Sequence, residues 1–95
     1  MLTIGQIAEG VQAASLEYPL HKVELFGSYA SGNNTPQSDV DLLVEFSRPR
    51  VSLLTLASLK LRLEELLGTS VDIVHGPLRE DSILETDRRI LLYGA

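Results

Sequence analysis

Two carboxylates spaced two residues apart are the part of this sequence best suited to chemistry. Asp39 and Asp41 lie in residues 38–46, where polar and apolar side chains alternate as in a β-strand. Alternation places both carboxylates on one face, with their Cα atoms about 6–7 Å apart. Such a pair is repulsive unless a cation lies beside it, and Mg²⁺ is usually held by one or two carboxylates together with substrate phosphates. The spacing predicts a metal site, although a solvated edge strand would show the same pattern.

Gly27 and Ser28, at the end of the preceding predicted strand, offer what a phosphate group needs. A glycine lets the backbone approach a phosphate closely, and N–H groups that open a helix or turn attract anions. A lone Gly-Ser pair is more often an ordinary turn. Asp72, in a third predicted strand, completes the acidic group if that strand lies beside residues 38–46 at the same height. The combination favours nucleotide chemistry.

Helices and strands must alternate to position these residues. The pattern predicts a capped helix from Thr3 to about Leu16, strands at 22–26, 38–46 and 71–75, a helix at 53–67 between Ser52 and Gly68, and a last helix at about 79–92 packed through Ile83, Leu84, Ile90 and Leu91. In the second strand, Val40, Leu42, Val44 and Phe46 are predicted to face the core, and Asp39, Asp41, Leu43 and Glu45 the other side. This order predicts an α+β fold, with one three-stranded mixed sheet covered by helices.

The helix at 53–67 is predicted to be apolar around more than one face. Leu54 and Leu61 lie off its main leucine stripe. A helix wedged between the sheet and its neighbours would explain this pattern, and so would a surface that binds a partner.

Length and composition limit the class of protein. The 95 residues predict a single domain spanning 1–95. The net charge of −5 argues against general nucleic-acid binding, because contacts with phosphates dominate that affinity. No apolar run approaches the roughly 18–20 residues of a membrane span, and no basic region precedes an apolar run as in a secretory signal. The absence of cysteine excludes a thiolate metal site and fits a reducing compartment. We therefore expect a cytoplasmic protein without a membrane partner.

The motifs resemble a known signature. Gly-Ser-Tyr-Ala-Ser-Gly at 27–32, followed by Ser-Asp-Val-Asp-Leu-Leu-Val at 38–44, resembles that of the nucleotidyltransferase superfamily typified by DNA polymerase beta. Within it, the chain is similar to the minimal nucleotidyltransferases, also through the leucine-rich helix and Val-Asp-Ile-Val at 71–74. The resemblance implies the nucleotidyltransferase fold and a nucleoside triphosphate, ATP, held by Gly27 and Ser28. It also implies two Mg²⁺ ions bound by Asp39, Asp41 and Asp72. In the alternative that the resemblance leaves open, Asp72 accepts the proton of the attacking hydroxyl instead of holding the second ion.

The same resemblance implies a reaction and a partner. Such proteins often act as the antitoxin of a HEPN-type toxin, and the implied reaction transfers AMP from ATP to a tyrosine of that toxin, a ribonuclease. The chain departs from the family at Ser31, where arginine is common. The alternative is a binding module that neutralises its partner by contact, and a third reading is transfer to a small molecule or RNA. Because so short a chain forms only part of a cleft, we expect the acceptor to come from a partner or a second copy, in a homo- or hetero-oligomer.

Overall fold

The structure, a computed structural model, describes residues 2–35, 37–48, 50–76 and 89–94. These residues form three helices and four strands. In chain order they are α1 (Ile4–Ser15), β1 (Leu20–Phe26), α2 (Ser28–Ser31), β2 (Val40–Phe46), α3 (Leu53–Leu67), β3 (Val71–His75) and β4 (Ile90–Tyr93). The predicted α+β class is confirmed. No helix within the described residues is long and apolar enough to cross a membrane.

The sheet is mixed, and its four strands lie in the order β3-β2-β1-β4. β1 is antiparallel to both β2 and β4, whereas β2 and β3 are parallel. The fourth strand corrects the prediction of a three-stranded sheet, because Ile90 and Leu91 belong to β4 and not to a helix. The rest of the predicted last helix, with Ile83 and Leu84, lies outside the described residues.

The error at β4 has a physical origin. Residues 90–93 are four apolar residues in a row, and so short a run gives no periodicity that separates a strand from a buried helical turn. Pairing decides the outcome, since β4 supplies hydrogen-bond partners to the side of β1 that β2 does not cover. That pairing is a tertiary contact about 65 residues away in sequence, which local patterns do not report.

α1 begins at a capping box. Gln6 N donates to Thr3 Oγ1 at 3.1 Å, and Thr3 N donates to Gln6 Oε1 at 2.9 Å. The helix buries Ile7, Val11 and Ala14 against the sheet and α3. Gly10 is also buried, and it lies against Leu67 of α3. α1 and α3 therefore cover one face of the sheet together.

α3 begins and ends where its sequence signals predict. The Ser52 side chain accepts a hydrogen bond from Thr55 N, and Gly68 ends the helix with a φ of +71°. Leu59, Leu63 and Leu67 form its buried stripe. Leu54 and Leu61 are 82% and 66% exposed, so the apolar side of α3 extends onto the surface.

The two faces of the sheet have different roles. Val40, Leu42 and Val44 point toward the helices and are fully buried, as predicted. Asp41 lies on the opposite face and is half-buried. Leu43 shares that face and is only 2% exposed, so part of the acidic face is packed. The sheet thus separates the helical core from the face that carries the candidate site.

Candidate active site

Asp41 and Asp72 are directly opposite each other in the parallel pair formed by β2 and β3. Neighbouring rungs place Val40 beside Val71 and Leu42 beside Ile73. Residues opposite each other in such a pair lie at the same height and point to the same face of the sheet. The two carboxylates are therefore brought together on the face of the sheet opposite α1 and α3.

The electrostatics show that Asp39 belongs to the same group. The pKa of Asp41 is raised, first by burial and then by the negative charges of Asp72 and Asp39. Asp39 immediately precedes β2, and both it and Asp72 are exposed, whereas Asp41 is half-buried between them. Asp72 and Asp39 thus each repel Asp41 and create a negative potential there that a cation would relieve.

Gly27 lies against the Asp41 side chain. A Cβ atom at this position would overlap Asp41 Oδ2 and would lie 3.1 Å from Asp41 Cγ. The backbone has φ +75° and ψ −151°, a conformation that is essentially restricted to glycine. Glycine is therefore required here both by the backbone and by the space that the carboxylate occupies. Nothing in the sequence indicates this contact, because it depends on the register that pairs Phe26 with Asp41.

The turn after Gly27 is closed by its own hydrogen bonds. Ser31 N donates to Gly27 O at 3.1 Å, and Ser31 Oγ donates to Gly27 O and to Ser28 O at 3.2 and 3.3 Å. Ser28, half-buried, begins the four-residue helix α2, and Gly32 ends it in the left-handed region. The first N–H groups of a helix have no acceptor within it, so this turn presents donors next to the acidic group.

The donor set fits Mg²⁺ bound together with a nucleotide. Among the described residues, no three His, Cys, Asp or Glu side chains converge into a group that could hold a metal ion by themselves. Mg²⁺ rarely needs such a group, because it keeps several waters and takes ligands from substrate phosphates. Asp41 and its two acidic neighbours could supply the hard oxygens, and the adjacent Gly27 turn could supply donors for phosphates. The chemistry of this site suits a metal–nucleotide complex better than a metal held by protein alone.

A charged pair on α3 lies close to the acids and was not recognised from the sequence. Lys60 Nζ contacts Glu64 Oε2 at 2.9 Å, and the same oxygen accepts a hydrogen bond from Val71 N at 3.0 Å. The hydrogen bond to Glu64 raises the pKa of Lys60, and the charges of Asp72 and Asp39 raise it further. The i,i+4 spacing of lysine and glutamate was a signal for the pair, but nothing in the sequence connects it to Val71.

The model of the Nucleotidyltransferase domain family matches residues 5–93. The chain belongs to this family. The resemblance to nucleotidyltransferases noted from the sequence is thereby confirmed, and this protein is an enzyme of the nucleotidyltransferase class.

Two relatives match the nucleotidyltransferase over nearly its whole length. A protein of Methanocaldococcus jannaschii, whose name marks it as a candidate protein adenylyltransferase, is 39% identical over 88 residues, covering 87% of this chain and 92% of the relative. The protein adenylyltransferase MntA of Thermococcus cleftensis is 35% identical over 97 residues, covering 98% and 97%.

Two solved structures share the fold. A crystal structure of a toxin–antitoxin with AMP-PNP has a TM-score of 0.72 at 23% identity, covering 93% of this chain and 73% of that one. A tri-AMPylated HEPN toxin of Shewanella oneidensis in complex with its MNT antitoxin gives a TM-score of 0.67 at 21% identity, covering 98% and 74%. These similarities confirm the nucleotidyltransferase fold.

Proposed function

We propose that this nucleotidyltransferase transfers AMP from ATP to a tyrosine hydroxyl of a HEPN-type toxin in the cytoplasm, with Mg²⁺, and so acts as its antitoxin. The observation that carries the proposal is the register that sets Asp72 opposite Asp41, with the Gly27 turn against the Asp41 carboxylate. Relatives named protein adenylyltransferases and a fold shared with an MNT antitoxin bound to an AMPylated HEPN toxin support it.

Each residue of the site has a role in this proposal. Gly27 and Ser28 bind the triphosphate through their backbone. Asp39, Asp41 and Asp72 hold two Mg²⁺ ions together with the phosphates. When bound, these ions neutralise the charge that develops on the leaving pyrophosphate and on the attacking oxygen.

The transfer is a displacement at the α-phosphorus of ATP. The tyrosine oxygen forms a new bond to that phosphorus, while the bond from the phosphorus to the bridging oxygen of the pyrophosphate breaks. The pyrophosphate leaves with the bonding electron pair, and the hydroxyl proton passes to water, or first to Asp72 where that carboxylate does not hold the second ion. Asp72 is exposed, so an acceptor from another chain can reach it and the proton can leave.

Intact-mass spectrometry tests the proposal directly. The protein is incubated with Mg²⁺, ATP and the product of the neighbouring gene, and each chain is weighed. We expect the partner to gain the mass of AMP and the gain to disappear in Asp39→Asn. Glu65→Gln is the matched control, because Glu65 is an exposed acid of α3 that pairs with Arg62 and lies outside the acidic group. Transfer at full rate by Asp39→Asn and Asp41→Asn would contradict the metal assignment.

A binding module is the second candidate, and two observations favour it. Ser31 replaces the arginine common in the family, and the exposed Leu54 and Leu61 give α3 an apolar surface. A partner would then be neutralised by contact alone. The same experiment separates the two candidates, because a module of this kind forms a tight complex whose partner gains no mass.

A further inference from the structure

The peptide group that joins Ser70 to Val71 is held from both sides, directly before Asp72. Its carbonyl oxygen accepts a hydrogen bond from Val40 N at 3.0 Å. Its N–H donates to Glu64 Oε2 at 3.0 Å. One end of this peptide is thus bonded to β2 and the other to α3, so its position and orientation are fixed where β3 begins.

This peptide is linked to the positions of all three acids, to Asp72 along the chain and to Asp39 and Asp41 through its hydrogen bond with Val40. Val40, which binds its carbonyl, stands between Asp39 and Asp41, and Asp72 follows it by one residue. The Val71 side chain is fully buried beneath it. A rotation of this peptide would shift the Asp72 backbone relative to Asp41, because successive residues of a strand share their backbone geometry.

Lys60 holds the Glu64 carboxylate in place. Its ammonium contacts the same oxygen that accepts the Val71 N–H, at 2.9 Å and at i,i+4 spacing. The hydrogen bond from Lys60, followed by the one from Val71, lowers the pKa of Glu64. Glu64 therefore stays ionised near neutral pH, and an ionised acceptor forms a shorter and stronger hydrogen bond than a neutral one.

We infer that Glu64, held by Lys60, is a positioning residue that fixes the start of β3 and thereby places Asp72 beside Asp41. The inference deepens the proposed function, since it rests on the role given there to the two acids. Neither Glu64 nor Lys60 needs to touch the nucleotide or the metal for this role.

The same helix provides a matched control. Arg62 contacts Glu65 at 2.8 Å and Glu17 at 2.8 Å. This second charged pair of α3 is tied to the segment after α1 and not to β3. Removing Glu65 therefore removes an acid and an ion pair from α3 while leaving the Ser70–Val71 peptide untouched.

The exchange rate of the Val71 amide hydrogen, measured by NMR, tests the hydrogen bond from Val71 to Glu64 and does not depend on enzyme activity. We expect Glu64→Ala to accelerate exchange at Val71 by about fivefold, the equivalent of one net hydrogen bond, and Glu65→Ala to leave it unchanged. Glu64→Gln keeps an acceptor of the same shape without the charge, so its effect is expected to be smaller. Lys60→Met tests the second contact, and an unchanged rate at Val71 in that variant would remove Lys60 from the assignment.

Mg²⁺ titration in the presence of a non-hydrolysable ATP analogue measures how the Glu64 variants change the affinity of the proposed site for Mg²⁺. Losing a residue that orients a metal ligand commonly weakens binding by about 10- to 100-fold, and we expect Glu64→Ala to fall in that range. Glu64→Gln is expected to recover most of the affinity, and Glu65→Ala to match the wild-type chain. If Glu64→Ala does not fold, Glu64→Gln carries the same two measurements, with smaller effects in the same direction.

The outcomes separate this inference from the proposed function. Val71 exchange and Mg²⁺ affinity that are the same in Glu64→Ala and Glu65→Ala would overturn the inference, even if the wild-type chain transfers AMP. A wild-type chain that transfers no AMP would overturn the proposed function, and the exchange at Val71 would still show whether Glu64 fixes the start of β3.

Discussion

Asp72 of β3 is the direct parallel neighbour of Asp41 of β2, and this register places the third acid of the site beside the first two. It also lowers the stability of the folded chain when Asp41 is ionised, because burial and then the charges of Asp72 and Asp39 raise the pKa of Asp41. Because the carboxylates around Asp41 repel it, a bound cation would remove this repulsion and stabilise the folded chain.

Asp41→Asn is therefore expected to stabilise the metal-free protein and to abolish AMP transfer. The substitution removes one of three like charges with almost no change in shape. We expect Tm in EDTA to rise by about 1–4 °C, because partly exposed charges contribute less than about 1 kcal/mol. Added Mg²⁺ with ATP would raise Tm of the wild-type chain but not of the variant. Calorimetry checks both, and a Tm below wild type in EDTA would contradict the repulsion.

The stability difference between these two proteins is expected to depend on pH. Because the pKa of Asp41 is raised above its ordinary value of 3.8 in the folded chain, protonation of Asp41 stabilises that chain. This contribution is complete below pH 3.8 and is lost as the pH rises through the raised pKa. The Tm advantage of Asp41→Asn in EDTA is thus smallest near pH 3.8, grows as the pH rises, and then levels off. Glu64, with its lowered pKa, is present in both proteins and cancels in the difference.

Gly27→Ala is expected to abolish transfer, whereas Gly32→Ala is expected to retain it. Both glycines have positive φ, so both substitutions strain the backbone, by about 1–3 kcal/mol. Only at Gly27 would the new methyl group displace the Asp41 carboxylate, because no atom of the described residues lies within 4 Å of a Cβ at Gly32. Transfer rates measured below the Tm of both variants separate strain from displacement. Equal losses in the two variants would mean that the contact with Asp41 has no role.

The two glycines of α1 are expected to respond in opposite directions to alanine. Gly5→Ala is expected to stabilise the protein by about 0.5–1 kcal/mol, because alanine favours a helix and, within the described part of the chain, a Cβ here would meet only Thr3 Oγ1, at 3.8 Å. A Cβ at Gly10 would lie 3.3 Å from Leu67 Cγ and closer still to Leu67 Cδ2. Overpacking typically costs about 1–3 kcal/mol, so a net loss of about 1 kcal/mol is expected for Gly10→Ala. Urea denaturation measures both values, and a stabilised Gly10→Ala would show that Leu67 moves aside freely.

Ser31→Arg is expected to lower KM for ATP by about two- to fivefold, in line with one exposed ion pair. The residue is exposed in the turn that follows Gly27, where its hydroxyl donates to the carbonyls of Gly27 and Ser28 and accepts a hydrogen bond from Asn33 Nδ2 at 3.4 Å. The gain is expected to shrink in high salt. Gln37→Arg adds the same charge at an exposed loop position and serves as the control. An equal gain in the control would trace the effect to net charge.

The elements with strong local signals could be predicted from the sequence. α3 runs from Leu53 to Leu67 because Ser52 caps its start and Gly68 allows the left-handed turn at its end. The alternation in residues 38–46 likewise gave β2 and the side on which Asp41 lies. In both cases the residues that carry the signal lie within a few positions of the helix or strand that they define.

Features that depend on distant contacts could not be predicted. β4 forms because β1 offers it an unpaired side, and its apolar run alone did not separate strand from helix. The position of Asp72 opposite Asp41 depends on strand register, and the contact of Glu64 with Val71 depends on how α3 meets β3. Leu43, predicted to share the polar face, is nevertheless buried, and Gly76 lies against its side chain.

The contact between Gly27 and Asp41 means that the turn proposed to bind phosphates and the strand proposed to bind metal are not independent determinants of activity. Effects of substitutions in residues that touch each other do not add. In a chain that already carries Asp41→Asn, adding Gly27→Ala is expected to cause a smaller further loss of activity than it causes alone. Losses measured for the single variants therefore overlap, and their sum overstates what the site contributes.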